Sequence, residues 1–153
     1  MSINKIDLSS IKSMEELREF RSNYETLFMS PKIEVRKSPI HGYGIFAKEA
    51  IDEHELIEED PSAPVIKKAM LDYCYTVNGF QSEEIALMPL GRGSVYNSSQ
   101  NQEEANAAWV VDMKSNIFIF KATKNIKKDE EILIYYGDGW WEARPETNFK
   151  EKK

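Results

Sequence analysis

The sequence predicts an α+β protein that is mostly β, with a few short helices. Three observations carry that reading. From Pro31 onward, short strand-like runs alternate with turn residues, and one stretch near the N-terminus has helical spacing. The third is size: 153 residues, 41% hydrophobic and 30% charged, are enough to bury one continuous core. Cys74 is the single cysteine, so neither an intrachain disulfide nor a cysteine-rich zinc cluster holds that core, and packing must.

The N-terminal stretch Ser13 to Met29 reads as a helix. Ser13 and Glu16 form a capping-box pattern, Ser30-Pro31 closes the segment, and Met14, Leu17, Phe20, Tyr24, Leu27 and Phe28 make its apolar face. A mobile leader is expected over Met1 to Ser10. Strands are expected at Ile33-Val35, Glu55-Glu58, Trp109-Asp112, Ile117-Phe120 and Glu131-Tyr136. Ser82 to Met88, with Ser82 as cap and Pro89 as stop, reads as one further helix, and Ser98 to Glu104 as a polar, mobile stretch. Ile51 to Ile57 and Ile126 to Ile132 each place an isoleucine, a polar turn and then a strand, which predicts two similar β-corners built by shared turn chemistry.

Charge narrows the partners. The formal charge is -6, with Asp52, Glu53, Glu55, Glu58, Glu59 and Asp60 in one stretch, so a nucleic-acid backbone is disfavoured and a basic peptide suits better. The bland reading of that stretch is a solvated acidic edge. The chain opens without a basic-plus-apolar leader, and no apolar run approaches the roughly eighteen residues needed to cross a bilayer, so no membrane contact and a reducing, cytoplasmic location are expected.

Three segments concentrate chemistry. His41-Gly42-Tyr43-Gly44-Ile45-Phe46-Ala47 has glycines that permit a tight turn and close approach of backbone N–H groups to a ligand. It also satisfies the G-x-G-x-x-A pattern of a dinucleotide-binding turn. Context opposes that reading, because Ser38-Pro39 interrupts the position of the buried strand that should feed the first glycine, and no helical stripe follows. Gly91-Arg92-Gly93-Ser94-Val95-Tyr96-Asn97-Ser98-Ser99 delivers an extended run ending in a side chain that both donates and accepts. Glu130-Glu131-Ile132-Leu133-Ile134-Tyr135-Tyr136-Gly137 is a charged turn, a strand and two adjacent tyrosines stopped by glycine. Taken singly, such tyrosines are ordinary strand residues. His41 and His54 form no metal or nucleophile constellation, so no metal is expected.

In this order and at this spacing, Ser38 to Ala47, Gly93 to Ser99 and Ala122 to Gly137 resemble the three successive signatures of SET-domain protein lysine methyltransferases, over roughly Ile33 to Trp141. Where the family reads Asn-His, this chain reads Asn97-Ser98, and no Cys-rich pre-SET or post-SET zinc cluster accompanies it. The resemblance implies a SET-type β-clip of several small sheets, with a C-terminal pseudoknot that sets the second and third signatures side by side. It divides the chain into a leader and brace helix (1–30), a SET-like domain (31–141) and a polar tail (142–153). It further implies S-adenosylmethionine as cofactor, held by Gly42, Tyr43, Gly44, Tyr96, Asn97 and Ser98, and Tyr136 as the catalytic residue. Tyr135, Trp140 and Trp141 would line the substrate channel. The implied reaction is methyl transfer to a lysine amine in a basic protein or peptide; a homodimer is compatible. The alternative is a SET-like fold without catalysis that binds peptides.

Overall fold

The computed structural model describes residues 5–70, 73–77 and 83–144. It is mostly β, and the chain forms two compact units, each assembled from discontinuous segments. Among the described residues no helix is long and apolar enough to cross a membrane.

The first unit combines 1–30, 55–94 and 109–121. Its helix α1 (Met14–Arg21) is capped by Ser13, whose hydroxyl accepts the Glu16 N–H at 3.1 Å, while the Glu16 carboxylate accepts the Lys12 N–H at 2.9 Å. The helix ends eight residues before the expected Met29, because Ser22 and Asn23 side chains donate to the Glu19 and Phe20 carbonyls and terminate it. The apolar residues beyond are no longer helical, and Met29 pairs with Glu58. Phe28 is buried, and Phe28 to Ser30 run alongside Glu58 and Glu59, with Ser30 N donating to Ile57 O at 2.9 Å.

The expected mobile leader is instead packed, over the part described. Ile6 and Leu8 are buried with Leu17, Phe28, Leu56 and Ile119, and Leu56 N donates to Ile6 O at 2.7 Å. The apolar-polar-apolar order Ile6-Asp7-Leu8 is a strand-like alternation, and Asp7 bridges Glu55.

A four-stranded sheet completes this unit, in the order β4-β3-β7-β6: β3 is Leu56–Ile66, β4 Ile85–Pro89, β6 Ala107–Asp112 and β7 Ile117–Ala122. The helix expected over 82–88 is therefore a strand across its described part; Ser82 lies outside the described residues. Leu87 explains the difference, since its N–H and C=O are both held by Tyr75 at 3.0 and 2.7 Å while the strand pairs with β3 on its other side. Pro89 closes the strand where it needs no donor.

The acidic stretch also departs from the bland reading. Glu55, Glu58, Glu59 and Asp60 are buried, not solvated. Glu59 accepts from Arg21 and from Phe28 N, and Asp60 accepts the Gly93 N–H at 2.6 Å. On another buried acid, Asp112, two arginines of α1 converge: Arg18 at 3.0 Å and Arg21 at 3.6 Å. Burial pushes the Asp112 carboxyl up, but hydrogen bonds from Arg18, Lys114 N–H and Ser115, with the charge of Arg18, outweigh it and hold the carboxyl below its usual range. A depressed folded pKa gives stability that is present above the ordinary carboxylate pKa and lost as pH falls through the folded value. Asp112→Asn should therefore destabilise by about 2 kcal/mol at pH 7, less than a fully buried pair because Arg18 is partly exposed. That gap, read from urea melts, should shrink below about pH 4; a gap equal at pH 7 and pH 3 would remove the charge from the account.

The second unit combines 31–54, 95–108 and 122–153 as far as they are described. Its sheet has the order β1-β2-β8-β5, with β1 Ile33–Lys37, β2 Tyr43–Ala47, β5 Asn97–Ser98 and β8 Glu131–Ile134. A short helix α2 (Asp138–Glu142) follows. The two expected β-corners are present and pair with each other. Ile51 and Ile126 exchange both backbone hydrogen bonds at 2.9 and 2.8 Å, His54 N donates to Ala122 O, and Asp129 N donates to Ala47 O. The third residue after each isoleucine adopts positive φ, 69° at His54 and 70° at Asp129, so the shared pattern is shared turn geometry.

Candidate active site

The glycine turn is folded by its own side chains. Ser38 N donates to Gly42 O at 2.8 Å, and the Ser38 hydroxyl accepts N–H groups of Ile40 at 2.9 Å and His41 at 3.4 Å. Gly42 sits at φ 47°, in the left-handed region, which explains a glycine there. Gly44 is needed for space: a Cβ would lie 2.1 Å from Glu131 Oε1 and 3.0 Å from Asn97 Nδ2.

Asn97 reaches across to this turn from β5. Its amide NH2 donates to His41 O at 3.0 Å, Tyr43 O at 3.2 Å and Glu131 Oε1 at 2.7 Å. Because a trans peptide points its N–H opposite to its carbonyl, drawing His41 O toward Asn97 turns the Gly42 N–H to the other side. Asn97 thus shapes the turn through its donors.

β5 and β8 are parallel neighbours, with Asn97 opposite Leu133 and Ser98 opposite Ile134. This sets the second signature beside the third. The side chain of Asn106 reinforces the junction, donating to Glu131 O at 2.9 Å and accepting Leu133 N–H at 2.7 Å. Just beyond the strand, Tyr136 N donates to the Ser98 hydroxyl at 3.1 Å, and the Tyr136 phenol donates to Tyr96 O at 2.5 Å. Gly137 at φ 100° then turns the chain into α2.

Several expected site residues meet here in altered roles. The Tyr96 ring is buried, so its contribution to the site is its carbonyl. Ser98 is buried too, and not part of a mobile stretch: its hydroxyl accepts from Tyr136 N and, at 3.3 Å, from the Trp141 indole, and donates to Ser99 O at 2.6 Å. The rest of that stretch is ordered by Asn101, which caps a 3-10 turn at Gln102–Glu104. Trp140 lies edge-on to Tyr136 with centroids 4.9 Å apart, and Arg144 covers the Trp140 face at 4.3 Å. Tyr135 points elsewhere, its hydroxyl bonded to Asp138; that bond, with partial desolvation and the nearby carboxylates, pushes its pKa up. The Tyr43 side chain is 65% exposed, leaving its backbone as the part that belongs to the turn.

The family model of the SET domain matches residues 42–137, from the glycine turn to the glycine after Tyr136. This chain belongs to the SET-domain family. It is 32% identical over 114 residues to a Schizosaccharomyces pombe histone-lysine N-methyltransferase specific for lysine 37 of histone H3, covering 71% of this chain and 76% of that one. A solved structure of a candidate histone methyltransferase from Plasmodium falciparum is 34% identical, with TM-score 0.58, covering 74% of this chain and 99% of that chain. A humanized mutant of the Chaetomium thermophilum Polycomb repressive complex 2, bound to the inhibitor GSK126, shares the fold at 22% identity and TM-score 0.55, over 69% of this chain but only 15% of the other.

Within this SET domain, sequence reasoning missed Ser38, Glu131 and Asn106 as members of the site. Ser38 and Glu131 lay inside quoted signatures, yet nothing in a sequence says that residues 93 positions apart share a hydrogen bond. Asn106 carried a weaker signal, as a polar residue between two alanines just before a strand.

Proposed function

We propose that this SET domain transfers a methyl group from S-adenosylmethionine to the side-chain amine of a lysine in a basic protein segment, with Tyr136 as the catalytic residue. The observation that carries the reading is the Tyr136 hydroxyl, whose proton is directed to Tyr96 O beside the turn held by Asn97. With its proton so placed, the phenol oxygen has lone pairs as its means to orient an incoming amine N–H or contact a methyl group.

The residues fit the cofactor. The turn at Gly42 to Gly44 has no side chain on either glycine, and a Cβ at Gly44 would collide with its supports, so backbone is what that surface offers. Gly42, Tyr43 and Gly44, with the backbone of Tyr96, Asn97 and Ser98, would hold the methionine and adenosine portions. When bound, S-adenosylmethionine supplies an electrophilic methyl on a sulfonium.

The chain's task is to present a neutral amine to it. A lysine ammonium has a pKa near 10.4, so the neutral form costs roughly 4.6 kcal/mol at pH 7. Aromatic walls that exclude water disfavour the charged form, and the walls we assign are Trp140, edge-on to Tyr136 at 4.9 Å, and Trp141, 5.1 Å from Trp140. The formal charge of -6 and the histone-lysine methyltransferase relative both support a basic protein as partner.

Calorimetric titration with S-adenosylmethionine, followed by radiolabel transfer to core histones and lysate proteins, tests this. Saturable binding at one site per chain and label on a lysine are expected. Binding without transfer would favour the non-catalytic peptide-binding alternative, and neither heat nor label would end both cofactor and enzyme readings.

A further inference from the structure

Glu131 joins the three signature segments through one side chain. Its Oε2 accepts the Ser38 hydroxyl at 2.9 Å, from the segment leading into the glycine turn. Its Oε1 accepts the Asn97 amide at 2.7 Å, and the glutamate itself opens β8. Gly44 leaves the space in which the carboxylate and the amide meet, 2.1 and 3.0 Å from where a Cβ would stand.

The chemistry of the two partners fixes the chemistry of the third. The Asn97 NH2 is a donor only. The Ser38 oxygen already faces the N–H groups of Ile40 and His41 in the same turn, at 2.9 and 3.4 Å, so its own proton must go outward. Both oxygens of residue 131 therefore have to accept, which a carboxylate does and an amide of the same shape does not.

Resting on the methyl-transfer reading, we infer that Glu131 is a positioning residue for cofactor binding. It holds Asn97 at the angle that draws in His41 O and Tyr43 O, and holds Ser38 at the angle that closes the turn; the backbone surface offered to the cofactor is set by this clamp. Glu131 acts through Asn97 and Ser38 and does not itself touch a reacting atom.

Glu131→Gln keeps size and shape but puts an NH2 group against one of two donors. In the full chain, calorimetry should show S-adenosylmethionine affinity falling about tenfold or more while the number of sites stays near one, and kcat at saturating cofactor should stay within about threefold. A residue that only supports folding would lower the number of competent sites and the melting temperature and leave the affinity of the folded fraction unchanged.

Hydrogen exchange of the ligand-free protein gives a readout independent of the cofactor. Amides of residues 38–44 should exchange about tenfold faster in Glu131→Gln. Wild-type binding with unchanged affinity in the variant overturns the inference. Should the wild type not bind, the cofactor reading fails, and unchanged exchange over 38–44 would overturn the clamp separately.

Discussion

Tyr136→Phe is expected to lower kcat by about two to three orders of magnitude, roughly 3 to 4 kcal/mol in the barrier, with cofactor affinity nearly unchanged. The substitution deletes one oxygen and leaves the ring, so the edge contact to Trp140 and the apolar wall survive. What disappears is the fixed pair of lone pairs and the bond to Tyr96 O. In the proposed transfer those lone pairs orient the amine, and an effect confined to the transition state lowers kcat and kcat/KM together. Tyr135→Phe is the matched control. Its hydroxyl is engaged with Asp138 rather than with the Tyr96 carbonyl, so a change within about threefold is expected. Rates for Tyr136→Phe equal to wild type would remove the phenol from the chemistry, even if methyl transfer itself were established.

The parts of this structure that the sequence exposes are those decided locally. The paired corners at Ile51 and Ile126 were legible because a positive-φ position after a polar turn depends on neighbours two or three residues away, and His54 and Asp129 supply it in the same place. Ser13 was legible as a cap for the same reason. Failures came where distant partners override local pattern. Ala86 and Leu87 have helix-compatible side chains, but β3 pairs with both and Tyr75 holds the Leu87 backbone from the other side. Glu58, Glu59 and Asp60 look solvated until Arg21, Phe28 N and Gly93 N arrive at Glu59 and Asp60 from 31 to 38 residues away.

The site divides in the same manner. Gly42, Asn97 and Tyr136 stand out because three ordered signatures resemble a family. The bonds that hold those residues in place are not in the signatures. Tyr96 contributes a carbonyl, which has no residue-type signal at all, and Ser98 contributes a hydroxyl that ties Tyr136 to Trp141. The substitution of serine at the family's histidine position looks like a loss in one dimension. In three dimensions it supplies an acceptor for two N–H groups that would otherwise need other partners.

Gly93→Ala should destabilise by about 3 to 5 kcal/mol. Its Cβ would stand 2.6 Å from Asp60 Oδ2, 2.7 Å from Pro89 Cβ and 2.9 Å from Phe120 Cζ. Two of these neighbours are rings, and Phe120 is fully buried, so neither yields by a simple rotation. Retreat by the backbone is closed as well. It would stretch the 2.6 Å bond from Gly93 N–H to a carboxylate that has no solvent to turn to, and whose Oδ1 is already without a hydrogen bond. Overpacking and a weakened charged hydrogen bond therefore add. For a chain of this length the loss corresponds to a fall in Tm of roughly 8 to 15 °C, measurable by circular dichroism. Gly139→Ala, where nothing lies within 4 Å of the added carbon, should leave Tm within about 2 °C. If the two alanine variants melted together, the glycine at 93 would be a matter of chain flexibility, and the buried Asp60 would not be what keeps a side chain out of the run that leads to Tyr96 and Asn97.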